Sequence, residues 1–264
     1  MTAAPKLRTE RKGSLLTLTM DGGGTRNTLS EEMVAALADA LSRAAKDRTL
    51  QALVLRGANG SFCVGADLKG LGQGGEIDFA AAAALSRSGA DLFAQLATLP
   101  LAVVAVVEGP AFAGGLGLAC CTDFVLCGPG ARFALSETAV GLVPAQIAPY
   151  VVARLGLPVA RRLCLSAVAI SAEQAQAIGL ADQIYVTNDE LEAGLGALLK
   201  AIRRCAPGAN AATKALLMSL GSALRCDYVS HAADIFAAAV TGPEGREGIA
   251  AFLAKRKPGW ADTH

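Results

Sequence analysis

Acid–base chemistry has few side chains to draw on in this chain. Among 264 residues, histidine stands only at His231 and His264. A three-histidine metal site is therefore impossible, and a Ser-His-Asp or Cys-His relay would have to use one of these two. Proton transfer falls most naturally to a carboxylate. The main chain offers more. Ser61-Phe62-Cys63-Val64-Gly65-Ala66-Asp67-Leu68-Lys69 and Glu108-Gly109-Pro110-Ala111-Phe112-Ala113-Gly114-Gly115-Leu116-Gly117-Leu118-Ala119 each bring small residues to the end of a run that reads as a strand. Small residues let a ligand approach the backbone, and glycine permits turns that aim N–H groups at it. Two such loops, each giving one N–H, could form an oxyanion hole for a thioester carbonyl. On these residues alone, tight packing explains the glycines equally well.

Two other motifs carry less. Gly70-Leu71-Gly72-Gln73-Gly74-Gly75 satisfies G-x-G-x-x-G. As a dinucleotide fingerprint it would need a strand directly before it and an acidic residue about 20 positions on, at the end of the next strand. Here the preceding strand ends near Leu55 and Asp91 falls in a helical stretch, so a flexible loop is the better reading. Cys63 sits beside the candidate hole. Its Phe-Cys-Val context, with no histidine nearby, points to a buried, inert thiol. The seven cysteines form no C-x-x-C pair and Cys120-Cys121 are adjacent, which suits a reduced, cytoplasmic protein.

The elements that must position these groups follow from hydrophobic patterning. Residues 15–20, 52–55 and 102–107 read as strands, the latter two as buried ones. Residues 30–46 form a helix capped by Ser30, with Met33, Val34, Leu37 and Leu41 at helical spacing. Residues 79–99 are Ala-rich and helical up to Pro100, and 171–177 and 190–204 are helical as well. Strands separated by helices suggest crossover units in a layered α/β domain; from Pro207 onward the pattern is helix after helix. Hydrophobic residues make up 53%, enough for a sizeable core. Lys+Arg 24 against Asp+Glu 23 leaves no surface built to neutralise a phosphate backbone, so no nucleic acid partner is expected. The uncharged stretches 109–122 and 138–153 contain Gly or Pro and fall short of the roughly 20 apolar residues of a membrane span. Residues 1–13 lack the apolar core of a signal peptide, so neither membrane association nor export is expected.

Several segments, in order, resemble one known family. Residues 62–69 are similar to the F-C-A-G-A-D-L-K signature of crotonases (the enoyl-CoA hydratase/isomerase superfamily), and Arg26-Asn27-Thr28-Leu29 to their R-N-A-L. Gly114-Gly115 with Ala119 and Asp123 resembles their G-G-G-x-x-L-A-x-x-x-D stretch. Phe133-Ala134-Leu135-Ser136-Glu137, followed by Gly141-Leu142-Val143-Pro144, resembles F-x-x-P-E and G-x-x-P. Phe252-Leu253-Ala254-Lys255-Arg256-Lys257-Pro258 resembles the family's C-terminal ending. More narrowly, Pro144-Ala145-Gln146-Ile147-Ala148-Pro149-Tyr150 resembles 3-methylglutaconyl-CoA hydratases, and residues 203–214 resemble isohexenylglutaconyl-CoA hydratase of acyclic terpene breakdown.

The resemblance implies an α/β spiral of ββα units over residues 1–200, and a C-terminal helical region, 201–264, that builds homotrimers or homohexamers. It implies an acyl-CoA thioester substrate whose carbonyl oxygen is held by the N–H groups of Ala66 and Gly114. Ala66, Asp67, Leu68 and Lys69 would line the CoA channel, and Glu137 would face the α,β-carbons as general acid/base. Otherwise Glu137 is an ordinary helix N-terminal acid capped by Ser136. Arg26, Lys255 and Lys257 are expected to contact CoA phosphates, the last two from a neighbouring subunit; a terminal basic cluster can also be merely solvated. No metal or redox cofactor is implied. The chain departs from the two-glutamate hydratases at Gly117, where their first catalytic glutamate falls. Ala113 and Ala145 replace glycines, and Asp21-Gly22-Gly23-Gly24 replaces an Asn-x-Pro lead-in. Gly117 is expected to open volume for a branch and to spare a carboxylated substrate like-charge repulsion. The expected reaction is hydration of a branched, carboxylated 2-enoyl-CoA by one glutamate. Isomerisation, decarboxylation, and a CoA- or RNA-binding protein without turnover are the alternatives.

Overall fold

A computed structural model of the chain describes residues 6–67, 79–219, 242–256 and 258–261. Its apolar runs become strands at the expected places: β2 (Leu15–Asp21), β3 (Ala52–Gly57) and β4 (Ala102–Val107). With β1 (Lys6–Lys12), β6 (Phe124–Cys127) and β9 (Gln183–Ile184) they form a six-stranded sheet in the order β1-β2-β3-β4-β6-β9. The β1–β2 pair is antiparallel, and every other pair in this sheet is parallel. A smaller sheet joins β5 (Pro110–Phe112), β7 (Arg132–Ala134) and β8 (Ile170–Ser171). The charged strand β1 has no apolar alternation to announce it; pairing with β2 makes it a strand, and its charges blunt an exposed edge.

The central strands are buried on both faces, which is why they read as continuous apolar runs. Leu53, Leu55, Val103, Ala105 and Val107 belong to the main core, packed with Leu37 and Leu41 of α1 (Glu31–Lys46) and Leu92 and Leu96 of α2 (Phe79–Ala97). Ala52, Val54, Val104 and Val106 form a second cluster with Leu191, Leu195 and Ile202. Those three lie on a helix, Asn188–Arg203, that starts two residues before the expected 190, because Thr187 and Glu190 complete a reciprocal capping box. As the pattern predicts, Ser30 caps α1, accepting from the Met33 N–H at 3.3 Å.

Between α2 and that helix lie α3 (Gly114–Cys120), α4 (Ala148–Ser166) and α5 (Ala172–Ala177), which makes Asn188–Arg203 α6. Helix α4 escaped the periodicity because Gly156, at φ 74°, breaks it just before Pro158. Beyond Pro207 come α7 (Pro207–Ser219) and α8 (Pro243–Leu253). Lys214 of α7 donates to the Leu101 carbonyl and to Asp123, tying this region to the loops before β4 and β6. The Gly70–Gly75 stretch lies outside the described residues. Among the described residues, no helix is long and apolar enough to cross a membrane.

Candidate active site

Two loops leave the parallel strands β3 and β4 and are stitched to each other. The Cys63 N–H donates to the Pro110 carbonyl at 3.1 Å, and the Phe112 N–H donates to the Cys63 carbonyl at 2.9 Å. Asn27 anchors the first loop from within. It is buried, with φ 61°, a conformation that asparagine tolerates better than most residues. Its Oδ1 accepts from the Gly22 N–H at 2.8 Å, while Nδ2 donates to the Ala58 and Ser61 carbonyls at 2.9 and 2.6 Å.

Two peptide planes are then locked by their carbonyls. The Gly65 carbonyl accepts from the Leu29 N–H at 2.8 Å. In a trans peptide the next N–H points the opposite way, so that of Ala66 is turned away from Leu29. The Ala113 carbonyl accepts from the Gly117 N–H at 3.0 Å inside α3, which turns the Gly114 N–H out of the helix start. Neither the Ala66 nor the Gly114 N–H finds an acceptor among the described residues. Gly65, at φ +91°, brings the planes together: a Cβ there would stand 2.8 Å from the Ala113 Cβ and 3.3 Å from the Gly114 nitrogen. Ala113 itself takes φ 48°, ψ −119°, held by its N–H donating to the Ala134 carbonyl at 2.8 Å.

That bond also ties the second loop to the carboxylate. Ala134 ends β7, and Glu137 follows three residues later, about 11 Å away at full stretch. Glu137 opens a 3-10 turn, Glu137–Val140, closed by Gly141 at φ 75° and pinned to α4 by Thr138 Oγ1 donating to the Cys164 carbonyl at 2.8 Å. Ser136 makes no capping bond with its side chain, contrary to the ordinary-acid reading. Glu137 Oε2 is buried without a hydrogen-bond partner among the described residues. Burial raises its pKa above the ordinary 4.5, a hydrogen bond from its own backbone N–H offsetting only part of this. A carboxyl whose neutral form is favoured by burial can take and return a proton. The Cys63 thiol is the converse case: full burial pushes it up to about 12, so it supplies no thiolate nucleophile.

The open volume expected at Gly117 is absent. A Cβ at Gly117 would stand 2.3 Å from Ile147 Cγ2 and 3.3 Å from Phe93 Cε1, so neighbouring side chains occupy the room that glycine leaves. Of the other sequence-derived positions, Asp67 follows Ala66 half-buried, and Arg26 is exposed at φ 56°. Lys255 is exposed just beyond α8, which packs on α7. Leu68, Lys69 and Lys257 lie outside the described residues. No cluster of three His, Cys, Asp or Glu side chains able to hold a metal ion occurs among the described residues. In the sequence Asn27 stands inside a motif that gives it no task, and nothing marks Ile147 as a neighbour of Gly117. The signal for the first was an asparagine beside a glycine-rich turn; for the second there was none.

Two amides without acceptors among the described residues, on loops tied through Ala134 to a desolvated carboxyl, suit an enzyme that polarises a carbonyl and moves a proton. Residues 10–263 match the family described as Enoyl-CoA hydratase/isomerase, and the chain belongs to this family, the crotonase superfamily. It is 31% identical over 254 residues to 2,3-dehydroadipyl-CoA hydratase of Escherichia coli (strain K12), covering 96% of this chain and 97% of that one. It is 26% identical over 257 residues to the mitochondrial methylglutaconyl-CoA hydratase of Mus musculus, covering 96% and 81%. The solved structure of Pseudomonas aeruginosa AtuE superposes with a TM-score of 0.94 at 42% identity, over 97% of this chain and 99% of that one.

Proposed function

We propose that the protein adds water across the 2,3 double bond of a 2-enoyl-CoA thioester, with Glu137 as its one acid/base. The observation that carries this is the buried Oε2 of Glu137, without a partner among the described residues, on a turn tied to the loop that offers the Gly114 N–H. The thioester oxygen accepts from the Ala66 and Gly114 N–H groups, and this draws electron density from C3. Water adds its oxygen to C3 as Glu137 takes its proton; the enolate collapses and C2 takes a proton back from Glu137. Water's OH and H add to C3 and C2 with no net oxidation or reduction, and the two amides polarise the carbonyl, so no metal or redox group is proposed.

Arg26, Asp67, Leu68, Lys69, Lys255 and Lys257 are proposed to surround the CoA moiety. The acyl group is proposed to be branched and carboxylated. The motif at residues 144–150 supports this, as do relatives whose names carry dicarboxylic acyl chains. Residues 1–200 would form the catalytic core and 201–264 the region that assembles trimers or hexamers, in the cytoplasm. The test is a panel of enoyl-CoA thioesters followed by loss of enoyl-thioester absorbance, with CO2 release and product double-bond position measured alongside. Hydration of a 3-methylglutaconyl thioester faster than crotonyl-CoA is expected. Release of CO2 or a shifted double bond without hydration would assign the site to decarboxylation or isomerisation instead.

A further inference from the structure

Gly114 and Gly117 stand three residues apart on α3 and so share a face, roughly 5 Å from each other along the axis. The inference rests on the reading that the Gly114 N–H holds the thioester oxygen. An acyl chain leaving that carbonyl along the shared face draws level with Gly117 within a few carbons. What it meets is an apolar wall already in place. The Phe93 ring spans both positions: Cζ lies 3.7 Å from where a Gly114 Cβ would be, and Cε1 lies 3.3 Å from where a Gly117 Cβ would be. Leu29 Cδ1 closes on the Gly114 position at 3.0 Å. Ile147 goes furthest, its Cγ2 and Cβ 2.3 and 2.8 Å from the Gly117 Cβ position. Its side chain has taken the place of a residue-117 side chain.

Ile147 is also held there. It is 4% exposed, and its carbonyl accepts from the Val151 N–H at 3.0 Å in the first turn of α4. On one side Gln146 Nε2 donates to Ser86 Oγ of α2 at 2.9 Å; on the other, the Tyr150 ring lies 6.3 Å from that of Phe93. The wall is thus braced against α2 at two points.

We infer that Ile147, a knob seated in the hole left by Gly117, is the specificity-determining residue that sets how large a branch C3 of the acyl chain can carry. The residue replacing a carboxylate position is then the pair rather than the glycine alone. The test compares kcat/KM for crotonyl-CoA and 3-methylcrotonyl-CoA in wild type, Ile147→Val and Ile147→Ala. Trimming the knob should raise the ratio in favour of the 3-methyl substrate stepwise, by about tenfold at alanine, the lower end of what a methylene-sized change is worth in an apolar pocket. Gly117→Ala should move the ratio the other way, and the Gly117→Ala/Ile147→Ala double variant should return it toward wild type, because touching residues are not additive. A purely structural Ile147 would lower both substrates together and leave the ratio alone. If the alanine variant does not fold, Ile147→Val, a milder loss, still decides.

Calorimetric binding of butyryl-CoA and 3-methylbutyryl-CoA separates the two levels. Failure of wild type to bind either thioester overturns the functional reading and the knob with it. Binding with a preference unchanged in both Ile147 variants overturns the knob alone.

Discussion

A carboxyl with one buried oxygen that finds no partner among the described residues destabilises the fold when it is ionised, and Glu137 should show that cost. Its folded pKa is raised by burial above the ordinary 4.5. Well below that value both folded and unfolded chains are protonated, and there is no penalty. As pH rises through the folded pKa the unfolded chain ionises more readily, and stability is lost. Glu137→Gln removes this loss, so its Tm should exceed that of wild type by a margin that grows from acid to neutral pH. Thermal unfolding of both proteins across that range checks it; a stabilising helix N-terminal acid would give the opposite sign. The same variant should keep its KM while turnover falls by about 10²–10⁴ in a single-substrate hydration assay. Asn27→Ala should cost about 4–5 kcal/mol, from three lost hydrogen bonds at about 1 kcal/mol each and about 1–2 kcal/mol for alanine at positive φ. Denaturant unfolding measures it, and Asn27→Asp should cost at least as much, because its second oxygen would face the Ala58 and Ser61 carbonyls to which Nδ2 now donates.

At the scale of elements, the site exists because glycines let loop and helix backbones touch. A Cβ at Gly115 would stand 2.1 Å from the Cys63 carbonyl oxygen, which already accepts from the Phe112 N–H. Backbone rather than a flexible side chain would have to yield. Gly115→Ala should therefore lower stability by about 3 kcal/mol and reduce activity with it. Gly196 of α6 is the internal control: nothing lies within 4 Å of its Cβ position. Gly196→Ala should stabilise by about 0.5–1 kcal/mol, because alanine is the better helix former. Denaturant midpoints of the two variants should move in opposite directions.

Across the whole molecule, exposed apolar side chains gather beside the carboxylate. Val140 ends the 3-10 turn, Leu142 and Val143 follow it, and Leu165 and Val168 lie at and just beyond the end of α4, to which Thr138 pins that turn. Val143 is 72% exposed in the single chain. The proposed trimer or hexamer would cover such residues, and sedimentation equilibrium should return three or six times the 26.7 kDa chain mass. Charge replacement at Val143 should lower that mass. The exposed Arg26 and Lys255 belong to the same scale. Neutralising both should raise KM for the CoA thioester at low ionic strength and less so at high salt, since screening already weakens exposed charge contacts. An unchanged KM at low salt would remove them from CoA binding.

Much of this architecture was legible in the residues themselves. Continuous β-branched and aliphatic runs at 52–55 and 102–107 mark strands buried on both faces, and Ser30 with Met33, Leu37 and Leu41 marks α1, because these patterns are local consequences of period and capping. The two small-residue loops and Glu137 were legible as motifs with a spacing. Strand β1 and the kinked α4 were not, since one draws its structure from a partner strand and the other interrupts its own periodicity. Nor could sequence alone show that the Gly65 and Ala113 carbonyls are occupied and so leave the next N–H groups without an acceptor among the described residues, because their partners, Leu29 and Gly117, are set by folding. Gly117 shows the difference most plainly. Sequence determined that no carboxylate stands there; only the packing of α4 against α3 decided that the space is filled by Ile147, since a volume is defined by residues distant in the chain meeting across it.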